Sequence, residues 1–564
     1  MALSGLDLAI IVVYLFGITA FGIAKGFRRN ASPTHYFLAD KSLGWFTVGA
    51  ALFTSNISTI HLLGLAAGGA KNGLTIGNFE WMAAFTLILL ALVFVPFYVA
   101  TGIRTLPEFM ERRYCPQART FLAVVGVVGA LLIHIGMSLF AGAELFQSFL
   151  GIPAYVSIVI LSALTVAYTA AGGLKAVVTT ENIQVCLLLI SSALVTVLGL
   201  CALPAARIHD LHSFVRALPP GQLQMLQPIT DIHGRLNEYS WLGALLGYPI
   251  LGIWYWCADQ THVQRVLGAN SLEAAQKGAL FAGFLKITPV FLMVLPGIIS
   301  YVLWHQGAYR LPFIPGTHDF DFNAVLPALI NYVVPTGLKG MVAAGMAAAL
   351  MSCMAAAANG CSTIISIDIV KRHWPETSDK QVVSIGRAST VVVMMLAMLW
   401  STQGGQFGTI FEAVNKIPMI FAPAVTTVFL FGVLWQRGTE KAAMATLYLG
   451  TLLGTVYFIV DLPSTGKALG LSATRDHFAG LVTDPIHGLG IPFMLVGPML
   501  AAICALIYIG VTVFTPPPSR EKVAGVCWEH PFAFINGQFD GKTDVSRMTI
   551  ALILILCALY YLFG

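Results

Sequence analysis

The chain has 564 residues, of which 57% are hydrophobic and only 10% are charged. Soluble domains carry about 25% charged residues, so a mean hydropathy of +0.80 leaves too little polar surface for a water-soluble protein of this size. This composition excludes soluble enzymes, nucleic-acid-binding proteins, disordered scaffolds and collagen-like fibres. It predicts an all-α polytopic membrane protein.

A transmembrane helix needs about 20 predominantly apolar residues, and the sequence contains about fourteen such runs. The connections between them are too short for a soluble catalytic domain, so we expect the functional groups within the helices. In chain order the predicted spans cover residues 5–24, 46–70, 76–100, 120–150, 153–171, 176–202, 239–262, 278–303, 335–370, 382–402, 408–435, 442–462, 488–514 and 546–563.

The distribution of Lys and Arg predicts the orientation, because cytoplasmic loops carry the excess of basic residues. The first run is followed, not preceded, by basic residues (Lys25, Arg28 and Arg29), which predicts a retained span with an external N-terminus and not a cleaved signal peptide. With that orientation, the inner connections hold 21 basic residues and the outer ones 8. We therefore expect a multi-pass protein of the cell (plasma) membrane, embedded in the lipid bilayer, with both termini extracellular.

The net charge of +5 does not indicate an anionic partner, because the basic residues are scattered among these connections. The nine cysteines mostly lie in apolar runs without metal-ligand spacing. They predict neither a disulfide framework nor a zinc site.

Two apolar runs contain polar, glycine or proline residues that a simple spanning helix lacks. The first is TSNISTIH at 54–61, followed by Gly64, and the second is GYPILG at 247–252. Unwound backbone at membrane depth is tolerated where it lines a cavity or is buried in protein, so both segments are predicted to be discontinuous helices. Each alone is also compatible with a kinked helix whose small residues serve packing.

These segments lie in the second and seventh predicted spans, five helices apart. That spacing predicts a five-plus-five inverted repeat, in which the first helix of each repeat is discontinuous and the pair forms a site near the midplane. The first repeat would cover 46–202 and the inverted second repeat 239–435, with flanking helices in 1–45 and 436–564. All would belong to one transmembrane domain.

Charged residues inside the predicted spans are costly and usually functional. Glu80, Glu181 and Lys286 all lie inside spans or within a turn or two of their ends. Around a midplane cavity, such groups together with Asn and His side chains would suit a neutral polyol, because each hydroxyl both donates and accepts hydrogen bonds. A structural ion pair or an interfacial position is the alternative for each.

The ninth predicted span carries small and hydroxyl-bearing residues around Ser352. Sodium is a hard cation that, like calcium and magnesium, prefers oxygen ligands. Ser352 is therefore a candidate sodium ligand alongside backbone carbonyls of the first discontinuous helix. Hydroxyl groups in membrane helices also bond to their own backbone or join helices, so a packing role stays open.

At these residues the sequence resembles the sodium/solute symporter family, and more closely its sodium/glucose cotransporter branch. The resemblance runs over almost the whole chain. It is carried by YTAAGGLKA at 168–176, SNI at 55–57, FEW at 79–81, TLPEF at 105–109, WYWC at 254–257, DQ at 259–260, QR at 264–265, the segment 277–297, and GVCW at 525–528.

The resemblance implies the five-plus-five fold and sodium-driven uptake of a sugar, a glucose- or galactose-like hexose, by alternating access. Sodium is then the coupling ion, and no other cofactor is implied. For the sodium site it implies backbone carbonyls of Thr54, Ile57 and Ala349 with the hydroxyl of Ser352. Cys353 occupies the position of the family's second serine, and a thiol is a poor sodium ligand.

The resemblance also implies a sugar site, with Tyr255 as an aromatic inner gate. The matching residues are His61, Glu80, Lys286, Asn415, Tyr255 and Trp256. Asn415 stands where relatives often have a longer amide, and Gly252 where they have a polar side chain. Glu181 matches an acidic position linked with cation coupling, which makes it a candidate for a second cation.

Other classes of function find less support in the sequence. A membrane enzyme would need a catalytic constellation, and the chain has no HExxH, GxSxG or phosphate-cradling motif. A sensor would need an appended signalling domain. Within the transporters, another polyol such as inositol, or an organic anion, is the alternative substrate.

Overall fold

The computed structural model describes residues 4–27, 32–230, 236–237, 239–314, 320–403, 414–461, 493–536 and 541–564. Throughout these ranges the regular elements are helices, and extended pairing is limited to isolated β-bridges. The predicted loop 463–487, the beginnings of two predicted spans (408–413 and 488–492) and the basic pair Arg28 and Arg29 lie outside the described residues.

The first 216 residues of the chain form eleven α-helices in the described ranges. They are α1 (Gly5–Gly26), α2 (Pro33–Leu38), α3 (Trp45–Asn56), α4 (Thr59–Asn72), α5 (Asn78–Leu89), α6 (Val95–Ala100), α7 (Leu106–Arg113), α8 (Pro116–Gly129), α9 (Ser138–Leu150), α10 (Ala154–Ala202) and α11 (Leu211–Arg216). π-Helical turns at Leu90–Phe94 and Ala130–Met137 join α5 to α6 and α8 to α9.

The rest of the chain continues with further helices. Those described are α12 (Tyr248–Ile253), α13 (Gln260–Leu267), α14 (Leu272–Leu285), α15 (Leu295–His305), α16 (Val325–Val333), α17 (Lys339–Ile364), α18 (Asp379–Ser401), α19 (Ala422–Leu434), α20 (Glu440–Asp461), α21 (Phe493–Val513), α22 (Arg520–Val523) and α23 (Asp544–Phe563). Further π-turns occupy Gly243–Gly247, Trp254–Ala258, Val290–Val294 and Ile365–Lys371.

Ten helical stretches of the described chain are long and apolar enough to cross a membrane, and an eleventh joins Val414–Ile420 to α19 through a 62° bend. Two of the ten are too long for one crossing: Thr59–Ala100 has 42 residues and Ala154–Ala206 has 53. At 1.5 Å per residue, a straight helix of that second length would extend about 80 Å through a hydrocarbon core of about 30 Å.

The long stretch α10 folds back at Gly173, in the double-glycine motif. Gly173 has φ +57° and ψ −148°, a conformation essentially restricted to glycine, and a Cβ there would lie 2.2 Å from the carbonyl oxygen of Tyr36. Tyr168 and Thr180 would be about 18 Å apart in a straight helix. Both instead lie against Gly22, within 2.9 to 3.0 Å of an added Cβ.

The first discontinuous helix is interrupted inside the predicted segment. α3 ends at Asn56, Ile57 and Ser58 are extended, and α4 begins at Thr59. The Ser58 side chain caps the new helix by accepting a hydrogen bond from the backbone N–H of Ile60. A serine in this position supplies an acceptor that the first turn of a helix otherwise lacks.

The second discontinuous helix is interrupted later than predicted. Residues 247–252 stay helical, because the π-turn Gly243–Gly247 runs directly into α12; a wider turn accommodates Pro249, which lacks an N–H and would clash with a regular preceding turn. After a second π-turn the helix ends at Asp259, whose backbone is extended (φ −97°, ψ 125°). The predicted break at 247–252 is therefore wrong in position, although the segment is discontinuous.

Helix α17 lies at the centre of the bundle, against α1, α10 and the α8–α9 connection. Nearly all of its residues are buried, and most are Ala, Gly, Ser or Met. Small residues let helix backbones approach closely in a membrane. The helix that carries Ser352 is therefore enclosed by protein on all sides.

Candidate functional site

A cavity lies between the two discontinuous helices. Its walls include residues of α4, α5, α12 and the π-turn after α12. All six residues predicted for the solute site line it: His61, Glu80, Lys286, Asn415, Tyr255 and Trp256. The folded chain thus brings together side chains that the sequence separates by more than 350 positions.

The charged centre of the cavity is an ion pair between Glu80 and Lys286. Lys286 Nζ lies 2.5 Å from Glu80 Oε2, and the two side chains are only 1% and 2% exposed. Lys286 also lies 5.5 Å from the centre of the Trp256 ring, and His61 Nε2 lies 3.9 Å from Glu80 Oε1. The sequence left a structural ion pair and a binding role open for Glu80 and Lys286, and the two residues form such a pair while lining the cavity.

Tyr255 connects the two discontinuous helices across the cavity. Its hydroxyl accepts a hydrogen bond of 2.9 Å from Asn56 Nδ2, at the end of α3. The other side of its ring packs on His262 of α13, with centroids 4.1 Å apart. Movement of this ring therefore requires the loss of this hydrogen bond and of its ring contacts with His262 and His134.

Asn415 reaches the cavity from the bent helix that precedes α19. The adjacent Lys416 pairs with Asp461 at the end of α20, with 3.1 Å between Nζ and Oδ2. Because Lys416 is the next residue in the chain, this ion pair limits how far the backbone at Asn415 can shift. It ties the cavity wall to the flanking helices.

A second cluster, made of oxygen atoms, lies where α17 meets the break between α3 and α4. Ser352 Oγ is 3.0 Å from the carbonyl oxygen of Thr54 and 3.0 Å from that of Ala349. A hydroxyl has one hydrogen to donate, so Ser352 can donate to only one of these two carbonyl oxygens at a time, and three oxygen atoms lie close together here. Ile57, whose carbonyl was also predicted to take part, is the extended residue that directly follows α3.

Cys353 faces away from this oxygen cluster. Its Sγ lies 3.6 Å from the carbonyl oxygen of His134 and 3.6 Å from Ser138 Oγ, and it lines the cavity. Consecutive residues of an α-helix point about 100° apart, so Ser352 and Cys353 reach different surroundings.

Glu181, predicted as a candidate for a second cation, forms a buried ion pair with Arg265. The distance from Arg265 Nη2 to Glu181 Oε1 is 2.9 Å, and both side chains are 0% exposed. The other carboxylate oxygen, Oε2, has no hydrogen-bond partner among the described residues. Thr54 Oγ1 lies 3.5 Å from the backbone carbonyl of Glu181, which puts this pair beside the oxygen cluster.

Sequence reasoning missed a third buried pair, between His134 and Asp259. His134 Nε2 lies 2.7 Å from Asp259 Oδ2, while Asp259 Oδ1 accepts a hydrogen bond from the backbone N–H of Thr261 and caps α13. Both residues lie in predicted spans, where ionisable residues usually have a function. The sequence could therefore have indicated them as candidates. Asn56, Phe79, Ser138 and Tyr248 also line the cavity without having been predicted for it.

The sequence matches the model of the "Sodium:solute symporter family" over residues 36–450. The chain belongs to the sodium:solute symporter family. It is therefore a sodium-coupled membrane transporter of small solutes and not an enzyme, which confirms the family, the multi-pass membrane location and the coupling ion expected from its sequence.

Among curated proteins, this symporter is 31% identical over 549 residues to the sodium/glucose cotransporter 4 of Danio rerio, covering 93% of the chain and 81% of that relative. It is also 31% identical over 550 residues to the sodium/myo-inositol cotransporter 2 of Homo sapiens, covering 93% and 78%.

Among solved structures, a Na⁺-coupled sialic acid symporter in a substrate-bound outward-open state matches with a TM-score of 0.75 and 18% identity. The match covers 92% of this chain and 99% of that one. At this identity the similarity establishes a shared fold.

Proposed function

We propose that this symporter imports a neutral polyhydroxylated solute, a hexose such as glucose or galactose, together with sodium. The proposal rests on the composition of the cavity. It combines a paired carboxylate and ammonium, an amide, an imidazole and aromatic rings. Hydroxyl groups donate and accept, so a sugar can use both partners of the ion pair without adding a charge.

Charge favours a neutral solute over an organic anion. The ammonium of Lys286 is already balanced by Glu80, so a carboxylate entering the cavity would find no unbalanced positive charge on that pair. A buried charge without a partner is costly. Relatives named for glucose and for myo-inositol match this chain equally well, so a cyclic polyol such as inositol is the alternative substrate.

For the coupling ion we propose the oxygen cluster of Thr54, Ile57, Ala349 and Ser352. Sodium bound there would hold α17 against the break between α3 and α4. Because Cys353 Sγ faces His134 and Ser138, the site would use the serine and the carbonyls without the thiol. Glu181, whose charge Arg265 balances, would act beside this site and not as the main ligand of a second ion.

Transport would proceed by alternating access. External sodium favours the arrangement in which the solute site is formed, the solute binds between Glu80, His61, Lys286 and Asn415, and the outer side closes. Tyr255 then gives up its hydrogen bond from Asn56 and opens the inner side. One charge moved through 100 mV supplies about 2.3 kcal/mol, roughly a 50-fold concentration ratio.

We further propose the complete architecture expected from the sequence. Fourteen crossings result if the hairpin at Gly173 and the turn Gly73–Gly77 each divide a long stretch, and if the bent helix at Val414–Ile420 and the shorter apolar helix Gly243–Ala258 each complete a span. The two discontinuous helices would then begin inverted repeats within 46–202 and 239–435, and both termini would lie outside the plasma membrane. Labelling of single cysteines introduced near each terminus of a cysteine-free variant in intact cells tests the orientation.

Uptake into proteoliposomes tests the function. Purified protein would be assayed with labelled glucose, galactose, myo-inositol and lactate, with an inward sodium gradient and with choline in its place. We expect concentrative, sodium-dependent uptake of a hexose or of inositol, and no uptake of lactate. Equal uptake in sodium and in choline would refute the coupling, and preferential uptake of lactate would refute the neutral substrate.

A further inference from the structure

Six residues of one helical segment line the cavity, among them Tyr248, Gly252 and Trp256. α12 is regular from Tyr248 to Ile253, so Tyr248 and Gly252 lie one turn apart on the same face. The following π-turn brings Trp256 to the same cavity. The middle position has no side chain, which leaves space between the two aromatic residues.

The side chain of Tyr248 fills this space. A Cβ added to Gly252 would lie 2.7 Å from Tyr248 Cε1 and 2.9 Å from Thr86 Cγ2, closer than carbon atoms normally approach. The Tyr248 hydroxyl reaches past Gly252 and accepts a hydrogen bond of 3.4 Å from Trp256 Nε1. A larger residue at position 252 would therefore displace the tyrosine.

The orientation of Tyr248 is held from several sides. Its ring packs edge-on against Phe79, with centroids 5.9 Å apart, and its hydroxyl also meets the side chain of Thr86. Trp256, which donates to this hydroxyl, is the same ring that lies beside the ammonium of Lys286. Tyr248 therefore contacts the group that borders the charged centre of the site.

We propose that Tyr248, seated in the space that Gly252 leaves, is a specificity-determining residue that selects among hydroxyl patterns of the solute. This proposal deepens the proposed function and rests on it. A rigid ring limits the bulk of any substituent on that side, and a hydroxyl can both donate to and accept from one solute hydroxyl. A site built to bond a solute hydroxyl discriminates strongly against the analogue that lacks it.

Tyr248→Phe tests the hydroxyl without changing the bulk of the side chain. KM and Vmax would be measured for glucose, galactose, myo-inositol and the monodeoxy glucoses. We expect at least a fivefold rise in KM for the preferred solute, with Vmax within twofold. For one deoxy analogue we expect KM to stay unchanged, because that analogue lacks the partner hydroxyl.

Tyr98→Phe is the matched control. Tyr98 is also buried, but its hydroxyl donates to the carbonyl of Cys257 and does not line the cavity. We expect this control to change KM for all solutes by the same factor, if at all. If Tyr248→Phe behaves in that uniform way, or leaves every KM unchanged, the proposal is wrong.

Paired substitutions at positions 252 and 248 test the packing of the two residues. Gly252→Thr should lower uptake at least tenfold, because its Cβ meets the Tyr248 ring. Addition of Tyr248→Leu should restore part of the uptake, since Thr86 still lies close to the added Cβ, and should change the ratio of glucose to myo-inositol uptake at least fivefold. Normal uptake by Gly252→Thr, or an unchanged ratio in the active double variant, would overturn the proposal.

Uptake by the unmodified protein distinguishes this proposal from the proposed function on which it rests. If the unmodified symporter carries none of the sugars or polyols, the proposed function itself fails. If it carries them and the variants keep its solute ratios, only the assignment of Tyr248 fails. Should the double variant not fold, the isosteric Tyr248→Phe still decides the outcome.

Discussion

The hydroxyl of Ser352 lies 3.0 Å from the carbonyl oxygen of Thr54, a residue 298 positions earlier in the chain. The contact joins the most enclosed helix of the bundle to the helix that is interrupted at Ile57 and Ser58. It therefore connects the proposed sodium site with the end of the helix that carries Asn56, the partner of Tyr255. An ion bound here can influence the solute cavity through one short segment of backbone.

Ser352→Ala should raise the sodium concentration for half-maximal uptake about tenfold, which corresponds to about 1.4 kcal/mol. The substitution removes an oxygen atom from the cluster but leaves both carbonyls in place. The measurement is the sodium dependence of solute uptake in proteoliposomes. Ser362→Ala is the control, since Ser362 lies on the same buried helix and bonds to the carbonyl of Asn359; an equal effect in both variants would argue for a packing role.

Glu80→Gln and Lys286→Met should each destabilise the protein by about 3 to 5 kcal/mol, because each leaves one buried charge without its partner. The double variant should recover most of that stability, since no charge remains unpaired. It should nevertheless stay inactive if the pair also binds the solute. Thermal unfolding and uptake would be measured on the same preparations, and an active double variant would show that the pair serves structure alone.

Glu181→Gln should also lower stability, because it leaves the fully buried Arg265 unpaired. Arg265→Met added to it should restore stability by removing the second charge. We expect the double variant to retain sodium-dependent uptake with a shifted sodium requirement. A change in the number of sodium ions per solute, measured from the reversal potential, would instead support a second cation at Glu181.

Gly173→Ala should reduce the yield of folded protein and lower its unfolding temperature. The cost of the backbone conformation alone is about 1 to 3 kcal/mol, and the added Cβ would also meet the Tyr36 carbonyl. Gly17→Ala is the control, because nothing lies within 4 Å of a Cβ at Gly17. Size-exclusion profiles of detergent extracts at increasing temperatures compare the two; equal behaviour would contradict a tight hairpin at Gly173.

The two discontinuous helices show which features of the fold the local sequence predicts and which it does not. The break at Ile57 and Ser58 follows from neighbouring polar residues and a serine cap, which are local properties. The second break was expected at the proline, but π-turns absorb the proline, and the chain opens at Asp259, where a carboxylate caps α13. Asp259 also meets His134 from a distant helix, and no local pattern contains that partner.

Composition and motif by themselves determined that this chain is a helical membrane protein, that it resembles sodium-coupled symporters, and which ionisable residues to examine. Those conclusions depend on hydropathy, charge scarcity and local residue order, which need no knowledge of distant contacts. Only the tertiary structure decided that Glu80 meets Lys286, that Glu181 meets Arg265, and that His134 meets Asp259. In these three pairings, helix packing brings residues that are up to 206 positions apart within hydrogen-bond distance, and sequence spacing alone does not encode those distances.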